Sequence, residues 1–391
     1  MYNFDEIMDR SNTISVKQGF RKENGLEDDV IALWVADMDF RSPKECCESV
    51  VKAGELGIFG YAGEKDAYFE ALQGWMKKRH GWDIKKEWVT RTPGVVAALA
   101  FAVRALTKEG DSVMIMRPVY PPFTGVVTGL DRKLVLHELK LDENTRFQID
   151  FDEMERQMKE EEVKAFILCS PHNPGGRIWS SEELDRIADL CLKYGIYLIT
   201  DEIHHDFILP GKEFTPMGTI GKIQDQAVIC TAPSKTFNIA GLDISNIVIP
   251  NDEIRAKFRK ELNAVHVGAN NLIGMECCRL CYENGEQWLD ELLTYLNDNV
   301  SIIREAVSKI PGARMMEPEG TYLPWVDLNA VMERMGLEEK DFQYKLQHEA
   351  KVWMNPGSMF GEEGSGWFRV NIGCPHAVLV EAMNRILAFC K

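Results

Sequence analysis

The sequence predicts an α/β protein with one large domain, built on a mostly parallel sheet, and a smaller α+β domain. Short apolar runs that resemble buried strands alternate with helical patterns through the middle of the chain, which is the rhythm of βαβ units. The chain has 391 residues, more than one simple core accommodates. Hydrophobic residues make up 45 % of it, a globular value. We expect residues 46–288 to form the large domain and residues 289–391 the small one, with residues 1–45 contributing to the small domain.

Composition excludes several classes of protein. The net charge of −16 disfavours broad attachment to nucleic acid or to anionic membranes. No apolar run reaches the roughly 18 residues of a membrane span, and the N-terminus lacks the pattern of a signal peptide. The ten cysteines follow no disulfide spacing, and neither residues 277–281 nor residues 202–205 have the spacing of a metal motif. The sequence therefore predicts a soluble cytoplasmic protein with reduced thiols and no metal.

The first elements predicted along the chain are a strand, two helices and a glycine-rich loop. The apolar run at 30–36 indicates the strand. Ser42 and Pro43 predict the start of a helix, with serine as its cap and proline in its first turn, that continues to Leu56. The loop spans residues 57–63 and carries Tyr61, which either is an exposed loop aromatic or reaches a ligand. Residues 66–80 have helical character.

An alanine-rich helix follows Thr92 and Pro93, which mark its start. Its first amides, near Gly94, Val95 and Val96, have no partner inside the helix. Those amides and the helix dipole make a natural phosphate site. An ordinary buried helix explains the same pattern equally well.

The central part of the chain alternates strands with helices and predicts that polar residues gather at one sheet edge. Strands are predicted at 112–116, 133–139, 165–169, 196–200 and 227–230, with a helix at 181–193. Four of these strands are followed by a polar or aromatic residue: Tyr120, Asn173, Asp201 and Lys235. Ligands of open α/β sheets bind at such strand ends. Because Pro233 ends the last strand, Lys235 is predicted on a loop beyond it.

Helices dominate the remainder of the chain. They are predicted through much of 252–310, including 286–309, and again at 332–351 and from about 374 to 390. Strands are predicted at 320–328 and 366–373. No internal repeat is visible, which excludes a solenoid.

The four strand-end residues match the needs of one cofactor, pyridoxal phosphate (PLP). PLP needs a lysine amine, a carboxylate at its pyridine nitrogen and an anion site. Lys235 would supply the amine, since a lysine in a partly dry pocket becomes nucleophilic, and Asp201 would keep the ring nitrogen protonated. Asn173 would donate to the ring oxygen and Tyr120 would stack on the ring. The phosphate would be held by the helix amides and by a serine: Gly94, Val95, Val96 and Ser234. Each residue alone is more often structural, but their joint occurrence at successive strand ends favours the cofactor.

The sequence resembles fold-type I PLP enzymes of the class I/II aminotransferase superfamily. Within that superfamily it is most similar to the MalY/PatB-type cystathionine β-lyases (C–S lyases). The resemblance covers nearly the whole chain and rests on eight stretches: 34–40, 60–61, 118–120, 169–176, 200–204, 232–242, 320–325 and 367–371. The first and the sixth point to the lyases rather than to general aminotransferases.

The resemblance implies further site residues and a homodimer with shared active sites. Arg369 would bind the substrate α-carboxylate, a geometry that suits arginine, and Ala36 would lie over the substrate. By the same likeness, Asn173 and Tyr120 would contact substrate as well as cofactor. Tyr61 would reach the phosphate of the neighbouring subunit. His204 would lie near the ring oxygen, where many aminotransferases have a tyrosine.

Two departures from the wider superfamily affect the phosphate site. Ala232 replaces a frequent phosphate-binding serine, and Asp243 stands where many aminotransferases have a phosphate-binding arginine. The phosphate must then rely more on amides, on the helix dipole and on Ser234.

The resemblance implies α,β-elimination from cystathionine or a cysteine S-conjugate, giving pyruvate, ammonia and a thiol. The alternative enzyme is an aminotransferase with the same lysine and arginine, and the chemistry of the residues alone does not choose between the two. A PLP-dependent transcription regulator is a third possibility. The acidic charge, and the absence of a basic helix-turn-helix segment before residue 34, disfavour it.

Overall fold

The computed structural model describes residues 2–267 and 271–391. Its strands, in chain order, are β1 (Ile31–Ala32), β2 (Val89–Thr92), β3 (Ser112–Arg117), β4 (Lys133–Glu138), β5 (Lys140–Leu141), β6 (Phe147–Gln148), β7 (Ala165–Cys169), β8 (Tyr197–Asp201), β9 (Ala227–Thr231), β10 (Ser245–Val248), β11 (Arg314–Met316), β12 (Trp325–Asp327), β13 (Val352–Trp353), β14 (Asn355–Pro356) and β15 (Trp367–Arg369). The five strands predicted in the central part of the chain are all present, with ends that differ by at most one residue.

The largest sheet has seven strands in the order β2-β10-β9-β8-β7-β3-β4. Five of them, from β4 to β9, run parallel, whereas β10 runs antiparallel to both β9 and β2. Every residue of β7 and β9 is buried, as expected of parallel strands that carry helices on both faces. The prediction of an α/β fold with a mostly parallel sheet is therefore confirmed.

The helices are α1 (Lys44–Leu56), α2 (Asp66–His80), α3 (Val95–Leu106), α4 (Pro122–Gly129), α5 (Phe151–Glu160), α6 (Ser181–Tyr194), α7 (Pro233–Thr236), α8 (Asp252–Ala264), α9 (Leu272–Asn284), α10 (Glu286–Ser308), α11 (Asn329–Met335), α12 (Glu339–His348) and α13 (His376–Phe389). The predictions at 66–80, 181–193 and 286–309 are confirmed within a residue or two. The prediction of helices through 252–310 includes residues 268–270, which lie outside the described residues. None of the described helices is long and apolar enough to cross a bilayer.

Six predicted details are wrong. Two of them are the strands predicted at 320–328 and 366–373, of which only Trp325–Asp327 and Trp367–Arg369 form strands. Ser42 does not cap α1, because Pro43 holds the N-cap position and the Ser42 hydroxyl donates to the Asn238 carbonyl instead. Lys235 lies in the single turn α7 rather than on a loop. The strand predicted at 30–36 is reduced to β1, since only two of its residues pair with β13. The helix predicted at 332–351 is two helices, α11 and α12, because Gly336 adopts φ 65° and ends the first.

A second sheet of four strands lies in the C-terminal part of the chain, in the order β11-β12-β15-β14. All its neighbours are antiparallel, and Trp325 of β12 and Asn355 of β14 both pair with Arg369 of β15. The presence of two separate sheets agrees with a large α/β part and a smaller α+β part. The domain boundaries at 45 and 288 stay a prediction.

Candidate active site

A cavity of about 660 Å³ lies at the carboxyl ends of the central parallel strands. The segment around Ala36 and the segments of the second sheet that contain Asn355 and Arg369 also line it. Eleven of the twelve predicted site residues line this one cavity: Ala36, Gly94, Val95, Val96, Tyr120, Asn173, Asp201, His204, Ser234, Lys235 and Arg369. The fold therefore brings these residues together as the sequence analysis expected.

Tyr61 is the predicted site residue that does not line this cavity. Its side chain is fully exposed, and it borders a different cavity, shared with Leu56 and Ile58. Within one subunit Tyr61 therefore has no access to the cavity that contains Lys235. Its predicted role requires a second subunit.

Lys235 projects from α7 towards the N-terminal segment. Its Nζ donates to the Ala36 carbonyl at 2.7 Å, and its remaining exposure is to the cavity. Burial lowers the pKa of this amine to about 8, while Asp37 and Asp201 raise it and Arg369 lowers it further. Near neutral pH the amine is thus far easier to deprotonate than an ordinary lysine.

Asp201 ends β8 and is buried. One oxygen accepts the Ile203 amide at 3.0 Å. Burial raises the pKa of this carboxyl to about 6, against the lowering effects of the Ile203 amide, Lys235 and His205. At neutral pH Asp201 is ionised mostly, and it can accept a hydrogen bond from a protonated ring nitrogen.

Arg369 is a buried cation that has no acidic partner among the described residues. Its Nη1 donates to Asn173 Oδ1 at 3.0 Å, and its Nη2 donates to Asn355 Oδ1 at 2.9 Å and to the Trp34 carbonyl at 3.0 Å. Its Nε makes no hydrogen bond, and no carboxylate among residues 2–267 and 271–391 lies within ion-pair distance of the guanidinium. Burial lowers the pKa of Arg369 to about 10. A buried, uncompensated guanidinium is costly, and a ligand carboxylate in the cavity would relieve that cost.

The phosphate end of the cavity is formed by the N-terminus of α3. The first hydrogen bond within α3 joins the Ala98 amide to the Gly94 carbonyl, so the amides before it have no partner inside the helix. The Ser234 hydroxyl lies 3.4 Å from the Ile244 carbonyl and borders the same cavity. Asp243 borders it too, so this end combines helix amides with one carboxylate.

His204 is buried in the cavity wall, and its Nδ1 has no hydrogen-bond partner among the described residues. Burial, together with the charges of Lys235 and Arg369, lowers its pKa well below the ordinary value. His204 is therefore neutral and retains an unused polar atom.

Tyr120 is held by its backbone amide, which donates to the Asn173 carbonyl at 3.0 Å, and burial raises the pKa of its phenol.

Sequence reasoning missed two groups of residues at the site. Asn355 and the Trp34 carbonyl orient Arg369, yet no short-range pattern links them to it. Beneath Lys235, His80, His205 and Asp206 bring their ligand-type atoms within 4.8 Å of one another. Because His80 is far from His205 and Asp206 in the sequence, no rule based on residue spacing predicts this cluster.

These features fit PLP. The cofactor requires a lysine amine, a carboxylate and an anion site. Around this one cavity lie a lysine with a lowered pKa, an ionised carboxylate and a helix N-terminus that offers free amides. The fold and the cavity together define a fold-type I PLP-dependent enzyme.

The chain belongs to the aminotransferase class I and II family, whose model matches residues 28–386. It is 40 % identical over 388 residues to the cystathionine beta-lyase PatB of Bacillus subtilis (strain 168), with 99 % of each chain covered. Its fold matches cystalysin from Treponema denticola, a structure that contains pyridoxal 5'-phosphate, with a TM-score of 0.94, 36 % identity and coverage of 99 % and 98 %. It also matches the PLP-bound C-S lyase from Staphylococcus hominis, with a TM-score of 0.92, 31 % identity and the same coverage. The resemblance inferred from the sequence is thereby confirmed.

Proposed function

We propose that the protein is a PLP-dependent carbon–sulfur β-lyase that acts on cystathionine or cysteine S-conjugates. The observation that carries the proposal is the buried Arg369 guanidinium, which has no acidic partner and borders the same cavity as Lys235. It provides an α-carboxylate site beside a basic amine. The similarity to lyases along the full chain favours elimination over other reactions of the same residues.

When bound, PLP supplies an electron sink for the pair left at the substrate Cα. Asp201 would hold the proton on the ring nitrogen, because its ionised carboxylate would accept a hydrogen bond from that N–H group. Lys235 takes the Cα proton as a general base, a task for which a pKa of about 8 is suited near neutral pH. The proposed phosphate ligands are the α3 amides and Ser234.

Arg369 binds the α-carboxylate through its planar, two-pronged guanidinium. Asn173, Asn355 and the Trp34 carbonyl fix the plane of that guanidinium, so the substrate enters a site that is already oriented. Asn173 and Tyr120 extend this contact surface, and Ala36 covers it from the N-terminal segment.

The reaction breaks the Cα–H, Cβ–S and Cα–N bonds, and one water supplies the oxygen that replaces the nitrogen at Cα. The thiolate leaves with the electron pair of the Cβ–S bond and takes up a proton. The remaining three carbons become pyruvate, and the amine leaves as ammonia. Cystathionine gives homocysteine in this way, and cysteine gives sulfide.

The decisive experiment is incubation with cystathionine in the absence of any keto acid. Sustained formation of pyruvate over many turnovers supports elimination, and the Lys235→Ala variant, at the same protein concentration, controls for background. The second candidate is an aminotransferase, the activity for which the matched family is named. A single turnover that stops, and that added 2-oxoglutarate restores, would establish transamination and refute the lyase.

We further infer a cytoplasmic homodimer with shared active sites. Large apolar side chains crowd the surface around Tyr61, where Leu56, Ile58 and Phe59 are 69 %, 67 % and 65 % exposed. A patch of this kind typically marks a protein interface. Covering it with a second subunit would also carry Tyr61 towards a neighbouring cavity.

A further inference from the structure

A buried hydrogen-bond network lies directly behind the proposed catalytic lysine. Thr236, the residue after Lys235, is fully buried, and its hydroxyl donates to Asp206 Oδ2 at 2.6 Å. The other oxygen of Asp206 accepts Trp75 Nε1 at 3.1 Å and lies 2.8 Å from His80 Nε2. A single carboxylate therefore joins the lysine turn α7 to helix α2.

His205 completes the surroundings of this carboxylate. Its Nε2 lies 3.4 Å from Asp206 Oδ2, and its ring stacks on His80 with centroids 4.3 Å apart. Burial alone would raise the pKa of Asp206, but His205 and His80 lower it well below its usual range. Asp206 is therefore a permanent acceptor, whereas neither ring nitrogen of His205 makes a hydrogen bond among the described residues.

His80, His205 and Asp206 are also the residue types of a metal site. Asp206, however, already uses both oxygens, since three donors from Trp75, His80 and Thr236 converge on them. The cavity that contains Lys235 is not lined by these side chains. The hydrogen bonds of Trp75, His80 and Thr236 therefore account for both oxygens of Asp206 without an ion.

The lysine turn is fastened on its other side as well. Asn238 accepts the Met38 amide at 3.0 Å and donates to the carbonyls of Met38 and Phe40 at 2.9 and 2.8 Å. Lys235 Nζ reaches the Ala36 carbonyl of the same segment. The path of the Lys235 side chain is thus fixed between two anchors, of which Asp206 is the buried one.

We propose that Asp206 is a positioning residue, which acts through Thr236 to aim the Lys235 amine into the cavity. Trp75 and His80 hold its carboxylate in the orientation that Thr236 needs. Misplacing a reacting group by about 1 Å costs up to about 10²-fold in rate, so a loosened turn should lower turnover while leaving substrate binding at Arg369 intact. This inference rests on the proposed role of Lys235, but not on which reaction the enzyme performs.

The matched variants are Thr236→Val and Thr236→Ser, compared as holoenzymes. Valine keeps the shape of threonine and removes the hydroxyl, whereas serine keeps the donor. We expect Thr236→Val to lower kcat about tenfold with KM within about twofold of the unaltered enzyme. Thr236→Ser should retain most of kcat.

A second readout separates positioning from mere stability. The visible absorption of the bound cofactor reports the pKa of the lysine nitrogen attached to it. The charged groups that face this nitrogen are Asp37, Asp201 and Arg369, and all three are unchanged in the variants. Because a loosened turn admits water, and water favours the charged form, that pKa should rise in Thr236→Val and stay constant in Thr236→Ser.

Equal kcat and equal absorption pKa for the two variants would overturn the proposal, even if Thr236→Val melted at a lower temperature. Should Thr236→Val fold poorly, Trp75→Phe removes one of the donors that orient Asp206 and keeps an aromatic ring in place. It should shift kcat and the absorption pKa in the same direction. Unchanged values in Trp75→Phe would likewise refute the role of Asp206. A protein that binds no PLP at all would instead contradict the proposed function.

Discussion

At the scale of single residues, burial acts in opposite directions on the two ionisable groups that face the cofactor site. It lowers the pKa of Lys235 to about 8 and raises that of Asp201 to about 6. Both shifts follow from the cost of keeping a charge in a dry site. They bring the amine and the carboxyl closer to neutral pH, where proton transfer is efficient.

The perturbed lysine should cost stability in the protein without cofactor. The unfolded chain keeps a proton on this lysine up to its usual pKa of 10.5, whereas the folded chain loses it near 8. At pH 7 Lys235→Met should therefore raise the free energy of unfolding by up to about 3 kcal/mol, since each pKa unit corresponds to about 1.4 kcal/mol.

The greater stability of Lys235→Met over the unaltered protein should decrease as the pH rises from 8 to 10. In that window the unfolded chain binds more protons than the folded chain, so the unaltered protein gains stability with pH. Urea unfolding of both cofactor-free proteins at pH 7 and pH 10 measures the effect. The exposed Lys340→Met is the control. If the difference in free energy of unfolding between Lys235→Met and the unaltered protein widened with pH, the lowered pKa would be contradicted.

Asp201→Asn should separate cofactor binding from catalysis. The amide keeps the size of the side chain but no longer stabilises a protonated ring nitrogen, so turnover should fall by on the order of 10²-fold while some PLP stays bound. Cofactor absorbance and kcat, measured on the same preparation, test this. Asp225→Asn, at an exposed position, is the matched control, and turnover equal to that control would make Asp201 structural.

Much of the cofactor end of the site could be predicted at the residue scale. Tyr120, Asn173, Asp201 and Lys235 each follow a strand, and parallel strands end at one edge, so chain order alone predicts their proximity. Asn355 was not predictable, because the pairing of β14 with β15 brings it to Arg369. Local sequence carries no information about such long-range pairing.

At the scale of elements, the lysine turn and the N-terminal segment are joined by one side chain. Asn238 adopts φ 57° and makes three hydrogen bonds to Met38 and Phe40. These bonds hold residues 36–40 over the cavity. The segment therefore depends on a residue about 200 positions away for its position.

Asn238→Gly should detach that segment without straining the turn. Glycine accepts a positive φ, so the change isolates the three hydrogen bonds, each worth about 1 kcal/mol. We expect the free energy of unfolding to fall by about 2–3 kcal/mol and amide exchange at residues 36–40 to accelerate. Asp131→Gly is the control, at an exposed residue with φ 58°. Unchanged exchange at 36–40 would argue against the tether.

The elements that were predicted correctly carry strong periodicity, such as α6, or fully apolar runs, such as β7. Strands β2 and β10 were missed because Val89–Thr92 and Ser245–Val248 mix polar and apolar residues. Their pairing is stabilised by side-chain contacts such as the 2.7 Å hydrogen bond between Thr92 and Ser245. That contact joins positions 153 residues apart, which no local window detects.

At the scale of the whole molecule, the cavity requires both sheets. The seven-stranded sheet supplies Asp201, and the four-stranded sheet supplies Arg369. The N-terminus of α3 supplies the helix amides, and α7 supplies Lys235. Arg369 and Asn173 meet across 196 residues of sequence. The resemblance to a known family, rather than periodicity, identified Arg369 in advance.

A single subunit leaves Tyr61 outside the cavity, and this makes a sharp prediction about the assembly. In the proposed homodimer, each site combines Lys235 of one subunit with the other subunit's Tyr61. Lys235→Ala should abolish activity, and Tyr61→Ala should weaken activity strongly when PLP is limiting, because it removes a ligand of the phosphate.

Mixed dimers of the Lys235→Ala and Tyr61→Ala chains should recover activity at limiting PLP. Each mixed dimer contains one site with both changes and one site with neither. Random pairing makes about half of all dimers mixed, so about one quarter of the sites are intact. Chains carrying different tags, refolded together and assayed beside each separate variant, provide the measurement. If Tyr61 served the cavity of its own chain, every site would carry one defect and mixing would restore nothing.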